Sequence, residues 1–144
     1  MTNIKLKIAT PERVVYENDI FQVSIPTMDG EITVLPNHIP LVSVLRAGEL
    51  RIKDSTGEQV IAVSGGFLEI RGNNELVILA DNAERADIID LDRAEQARAR
   101  AEAEMEKAKS GEDVDFARLQ AMIDRETNRL RVGKKYRDLS SRMK

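Results

Sequence analysis

Ile89-Asp90-Leu91-Asp92-Arg93-Ala94 separates two kinds of sequence. Before it, short apolar runs alternate with turn residues. After it, Ala, Glu, Arg, Lys and Gln dominate from Asp92 to Lys109 with no Gly, Pro or β-branched residue, which predicts a helix. Asp90 stands where a helix N-cap belongs, and Arg93 follows three positions later. The stretch is therefore a seam, and the chain is predicted to be α+β: a β body over residues 1–86 and a helical appendage over 87–144.

The body reads as strands. Ile4-Lys5-Leu6-Lys7-Ile8 alternates apolar and basic residues, the pattern of a half-buried strand, and Thr10-Pro11 ends it. Further strands are expected at Arg13–Tyr16, Asp19–Ile25, Glu31–Val34, Leu41–Val44, Glu49–Lys53, Gln59–Val63, Phe67–Arg71 and Glu75–Ala80. Turn signals separate them, among them Met28-Asp29-Gly30, Ser64-Gly65-Gly66 and Gly72-Asn73-Asn74. Short strands at this spacing predict an antiparallel sandwich or barrel of two packed sheets. Leu76–Ala80 is apolar at every position, as expected of a strand covered on both faces or of a docking surface for the helices. His38 lies in Pro36-Asn37-His38-Ile39-Pro40, a loop stiffened at both ends, which suits a contact surface better than catalysis.

The appendage reads as a helical hairpin. Ala94, Ala97, Ala101, Met105 and Ala108 form the apolar stripe of the first helix. Ser110–Asp115 is a turn, with Asp115 as N-cap of a second helix whose stripe is Phe116, Leu119, Ile123 and Leu130. Each alanine buries little, at about 0.8 kcal/mol per CH₂, so helices this strong in propensity and this weak in packing make a movable arm. Arg118, Arg125 and Arg129 occupy a second stripe. In an antiparallel hairpin Asp90 and Arg93 lie level with Arg125 and Arg129, and guanidiniums converging from two helices form a site for phosphate. The alternative is a solvated face laced by salt bridges to Glu102, Glu104, Glu106 and Glu126.

Composition excludes several function classes. Hydrophobic residues are 42% and charged residues 33% of 144, which fits a folded chain with a highly charged surface. With no Cys and one His, a disulfide framework, a thiolate or His-rich metal site and a cysteine nucleophile are excluded. The N-terminus lacks the apolar core of a signal peptide, and no run approaches the roughly 18–20 apolar residues of a membrane span. An intracellular protein is expected, reaching a membrane only through a partner. The net charge of −3 argues against nucleic acid. The chain end is nonetheless basic: Arg129, Arg131, Lys134, Lys135, Arg137, Arg142 and Lys144 face the single acid Asp138. With Tyr136 as the only ring there, base stacking is poor and an acidic protein surface is the better partner.

Together, Gly30-Glu31-Ile32, Leu35-Pro36-Asn37-His38-Ile39-Pro40-Leu41, Val63-Ser64-Gly65-Gly66-Phe67-Leu68-Glu69, Ala83-Glu84-Arg85-Ala86 and Ile89-Asp90-Leu91-Asp92-Arg93-Ala94 resemble the bacterial F-type ATP synthase epsilon subunit. The resemblance runs to about Val132 and implies a ten-stranded β-sandwich followed by a two-helix hairpin. It implies a central-stalk position on the cytoplasmic face of the membrane, with the gamma subunit and the ring of c subunits as partners. Glu31 and His38 match the contact surface toward that ring. The arm is implied to fold beside the sandwich or to extend into the catalytic alpha/beta head, where it impedes hydrolysis. In bacillus-like members the pattern Ile/Leu-Asp-x-x-Arg-Ala belongs to an ATP site that holds the arm folded. Ile89, Asp90, Arg93 and Ala94 match it, Arg125 and Arg129 match its second-helix arginines, and Glu84 matches an upstream acid. ATP is thus the implied regulatory ligand, with no metal, nucleic acid or membrane insertion. No phosphate-binding Gly-x-x-x-x-Gly-Lys-Ser/Thr loop is present, so hydrolysis by this chain is not expected. The competing expectation is a free-standing nucleotide-binding module that signals through its basic end.

Overall fold

A computed structural model describes residues 2–109 and 115–142, without the side chains of 108, 109 and 139–142. It divides into two compact units, Met1–Arg85 and Ala86–Lys144. The first is built of β1 (Ile4–Ala9), β2 (Val14–Ile20), β3 (Gln22–Thr27), β4 (Gly30–Val34), β5 (Leu41–Val44), β6 (Gly48–Asp54), β7 (Gly57–Arg71) and β8 (Glu75–Arg85). The second holds a 3-10 turn at Ala86–Ile88, then α1 (Leu91–Lys109) and α2 (Phe116–Arg142).

The strands hydrogen-bond in the order β2-β1-β8-β7-β6-β3-β4, with β5 paired to β7 off this path. Pairing is antiparallel except between β1 and β8, which run parallel from Lys5↔Glu75 to Ala9↔Leu79. The sheet folds over on itself. Tyr16 Oη of β2 donates to Asp54 Oδ2 of β6 at 2.8 Å, although β1, β8 and β7 intervene in the ladder. One core fills the fold: Ile4, Leu6 and Ile8 from β1 meet Ile25, Leu50, Ile52, Leu68 and Ile78, all fully or almost fully buried. The alternating pattern of β1 follows directly from its sequence.

The resemblance implied ten strands; among the described residues there are eight, in one continuous sheet. Part of the difference lies at Ser64-Gly65-Gly66, which punctuates the sequence as a turn but is a kink inside β7. Gly65 and Gly66 take φ of 71° and 110°, and pairing continues across them from Ser64↔Asn82 to Gly66↔Ala80. Before the kink β7 pairs with β6, and after it with β5. Only glycine fits: a Cβ on Gly66 would collide with the carbonyl of Leu79. Two expected strands, Gln59–Val63 and Phe67–Arg71, are thus one. β8 likewise runs on past Ala80 to Arg85.

Two further expectations change. The break between the second and third strands falls at Phe21 and not within Glu17-Asn18, because β2 is an edge strand whose polar residues face solvent. Leu76–Ala80 is central in its pairing, but not covered on both faces. Leu76, Ile78 and Ala80 are buried, while Leu79 remains 43% exposed.

In the helical unit, capping sets both helix starts. The Arg93 amide donates to Asp90 Oδ1 at 3.1 Å and the Ala94 amide to the Asp90 carbonyl at 3.0 Å. The Arg118 amide donates to Asp115 Oδ1 at 3.1 Å in the same way. The helices run antiparallel. At one end a Cβ on Gly133 would lie 2.7 Å from Leu91 Cδ2 and 3.2 Å from Ile89 Cγ2. Toward the other, Arg118 Nη2 stands 3.9 Å from Glu104 Oε2. The expected turn at residues 110–114 and the Ala108 side chain lie outside the described residues. Ala94, Ala101, Leu119 and Leu130 are buried as expected of facing stripes, whereas Phe116 is 54% exposed. α2 continues without a break through Gly133 to Arg142.

Candidate functional site

Four of the expected ligand-site residues, Ile89, Asp90, Arg93 and Ala94, sit around the start of α1. Asp90 is occupied as a cap, and its second oxygen stands 4.0 Å from Arg93 Nε. The Arg93 side chain is 84% exposed, so it faces solvent and any solution ligand. Ile89 and Ala94 are buried and fix the backbone of this turn against the hairpin.

The register follows from the two ends of the hairpin. With Gly133 beside Ile89 and Leu91, and Arg118 beside Glu104, Arg129 falls level with Arg93 and Ala94. Arg125 lies about one turn, roughly 6 Å, further along, level with Ala97 and Arg98. Arg118 lies toward the far end and pairs with Glu104, as the salt-bridge alternative has it. Glu84 is at the end of β8, in the other unit.

Arg125 and Arg129 converge on a residue that the apolar stripe had passed over. Glu126 accepts from Arg125 Nε through Oε1 at 3.2 Å and from Arg129 Nη1 through Oε2 at 2.7 Å. Its side chain is 2% exposed, against 37% for Arg125 and 23% for Arg129. A carboxylate is this buried only when its charge is met, and here each oxygen has its own guanidinium. The sequence carries a signal for it. The expected stripe jumps from Ile123 to Leu130, and the helical position between them, three after one and four before the other, is Glu126. Asn128, also buried, accepts from Arg131 Nη2 at 2.6 Å.

The expected contact residues of the first unit are held differently. Glu31 is the second residue of β4 and pairs with Arg51 of β6 at 2.6 Å across half-exposed side chains. His38 Nδ1 lies 2.7 Å from the Ile39 carbonyl. Its loop is tied to the β7–β8 turn, where the Asn37 amide donates to Asn74 Oδ1 at 2.5 Å. Among the described residues no group of three or more His, Cys, Asp or Glu is placed to hold a metal, and no helix is long and apolar enough to cross a membrane.

The family model described as the ATP synthase delta/epsilon chain β-sandwich domain matches residues 3–86, and that of the long α-helix domain of the same chains matches residues 87–134. This chain belongs to the ATP synthase delta/epsilon chain family. The ATP synthase epsilon chain of Halalkalibacterium halodurans is 42% identical over 132 residues, 92% of this chain and 98% of its own. That of Chloroflexus aggregans is 46% identical over 129 residues, 90% and 91% of the two chains. Among solved structures, a chain in the Euglena gracilis mitochondrial ATP synthase has the same fold, with a TM-score of 0.67 at 23% identity over 90% of this chain and 79% of that one. A chain of the Tetrahymena thermophila mitochondrial ATP synthase central stalk and c-ring matches with a TM-score of 0.54 at 14% identity, over 92% and 95%. At these identities the likeness concerns the fold.

Proposed function

We propose that this chain is a non-catalytic coupling and regulatory subunit of a rotary ATP synthase on the cytoplasmic face of the membrane. The sandwich binds gamma and rests on the c ring through the surface that holds Glu31 and the His38 loop. The helical unit is an arm that either folds back or extends into the catalytic head and restrains hydrolysis. What supports this most directly is the match of both family domains, in order, over residues 3–134. Packing supports the movable arm. The stripe of α1 contributes the small side chains of Ala94 and Ala101 to the contact with α2, so separating the two helices exposes little apolar area.

ATP is proposed as the ligand of the folded arm, held by Arg93, Arg125 and Arg129 with the turn of Ile89, Asp90 and Ala94 beneath and Glu84 as an added polar partner. Two to three charge-assisted contacts of about 1.5–3 kcal/mol each, less association costs of several kcal/mol, give a dissociation constant roughly in the micromolar to millimolar range. ATP biases the arm only to the extent that it binds the folded state more tightly than the extended one.

Removing Gly111–Lys144 is expected to raise ATP hydrolysis by the assembled enzyme, and unchanged hydrolysis would show that the arm is no brake. NMR titration of the isolated chain with ATP is expected to shift the Arg93, Arg125 and Arg129 signals. Unmoved signals up to millimolar ATP would remove the ligand and leave the stalk role.

A further inference from the structure

Building on the phosphate-site assignment above, we propose that Glu126 is a built-in competitor for the phosphate. Its carboxylate holds Arg125 and Arg129 when no ligand is bound, so ligand binding is an exchange of carboxylate for phosphate. Both oxygens are committed, one to each arginine, at 3.2 and 2.7 Å. Arginine grips a phosphate best through two parallel N–H groups. Glu126 takes Nε from one guanidinium and Nη1 from the other, so each enters an encounter with part of its fork engaged. Charge acts in the same direction. The two arginines and the carboxylate sum to +1 where the arginines alone would present +2, and a polyphosphate arriving at the guanidiniums meets a like charge within a few ångströms.

The competitor is local. All three groups lie within about one turn of α2, so the exchange needs side-chain rotation and no movement of the helix. Glu126 also travels with its arginines, whatever the arm does, and therefore sets the ceiling on affinity. Such a ceiling keeps the site unsaturated when the ligand is abundant.

The full-length chain, titrated calorimetrically with ATP at fixed ionic strength, tests this. Glu126→Gln keeps the shape and removes the charge, and ATP is expected to bind about tenfold more tightly. Glu126→Ala removes the charge with a different shape and carries the same expectation, so a folding defect peculiar to glutamine does not decide the matter. Glu126→Asp keeps the charge and is expected to stay within about threefold of wild type. In an Arg125→Ala background the gain from Glu126→Gln should shrink, because half of the competed site is gone; a purely structural carboxylate shows no such coupling. Unchanged or weaker ATP binding by both neutral variants, with thermal melts like wild type, overturns the competitor and leaves the phosphate site standing. No binding up to millimolar ATP by wild type and neutral variants alike overturns the phosphate site, and the competitor with it.

Discussion

Tyr16 and Asp54 show what a single polar pair does for the folded sheet. Asp54 accepts from Tyr16 Oη and from the amide and hydroxyl of Thr56, at 2.8, 2.8 and 2.6 Å. Burial works against the carboxylate, but these hydrogen bonds outweigh it and hold Asp54 below its usual range. Burial, and then the bond and charge of Asp54, push the Tyr16 hydroxyl upward. The two shifts bound a pH window. The unfolded Asp54 binds its proton more readily, so its stabilisation is fully present above about pH 4 and is lost as pH falls through the lowered folded value. The folded Tyr16 keeps its proton longer, so its stabilisation is full below about pH 10 and is lost as pH rises toward the raised folded value. Tyr16→Phe is expected to cost about 1.5–3 kcal/mol near neutrality, the range for a hydrogen bond to a charged group. It should also flatten both limbs. Urea unfolding at a series of pH values measures this, and parallel pH profiles for wild type and variant would rule the linkage out.

At the scale of elements, legibility followed periodicity and failed where one residue served two masters. β1 could be read because Ile4, Leu6 and Ile8 alternate with lysines, and α1 because nothing in it opposes a helix. The caps at Asp90 and Asp115 could be read because capping is a local geometry. Continuity of β7 could not. Gly65-Gly66 is a turn signal in any local view, and only the ladder to β8 makes it a kink. Glu126 could be read as a salt-bridge partner of the arginines but not as a buried one: a charge inside an apolar stripe looks like the solvated edge of that stripe until its two arginines are seen to neutralise it. Gly133 is a third case. Within a helix glycine ordinarily costs about 1 kcal/mol relative to alanine, so its presence in α2 asks for a reason. The reason is close approach to Leu91 and Ile89 at the seam. Gly133→Val should therefore raise the intrinsic helicity of α2 yet weaken the hairpin by about 1–3 kcal/mol, as overpacking does. Faster amide exchange across Ile89–Ala94 at undiminished far-ultraviolet helicity is the expected signature. Unaltered exchange would mean that Leu91 simply swings aside.

For the whole molecule the decisive fact is that the two units are stabilised by different means. The first has one apolar cluster, whose members among the described residues run from Ile4 to Ala83. Its ladder ends at Ile61↔Arg85, just before the 3-10 turn. Residues 1–85 carry all of this, and a body of about 85 residues is large enough to bury a self-sufficient core. The second unit draws on capping, high helix propensity and a thin seam of alanine against leucine, which keep helices formed without binding them strongly to each other. A chain ending at Arg85 is accordingly expected to unfold in one cooperative transition with a midpoint within a few degrees of the sandwich transition in the full chain. Residues 86–144 alone should be helical by circular dichroism, melt broadly, and exchange their α1 amides far faster than β7 and β8 exchange theirs. If the truncated body is instead molten, its core depends on residues 86–144, and the movable arm proposed above is ruled out. A cooperative melt of the isolated residues 86–144 would count against that proposal as well, since a tightly held hairpin resists opening.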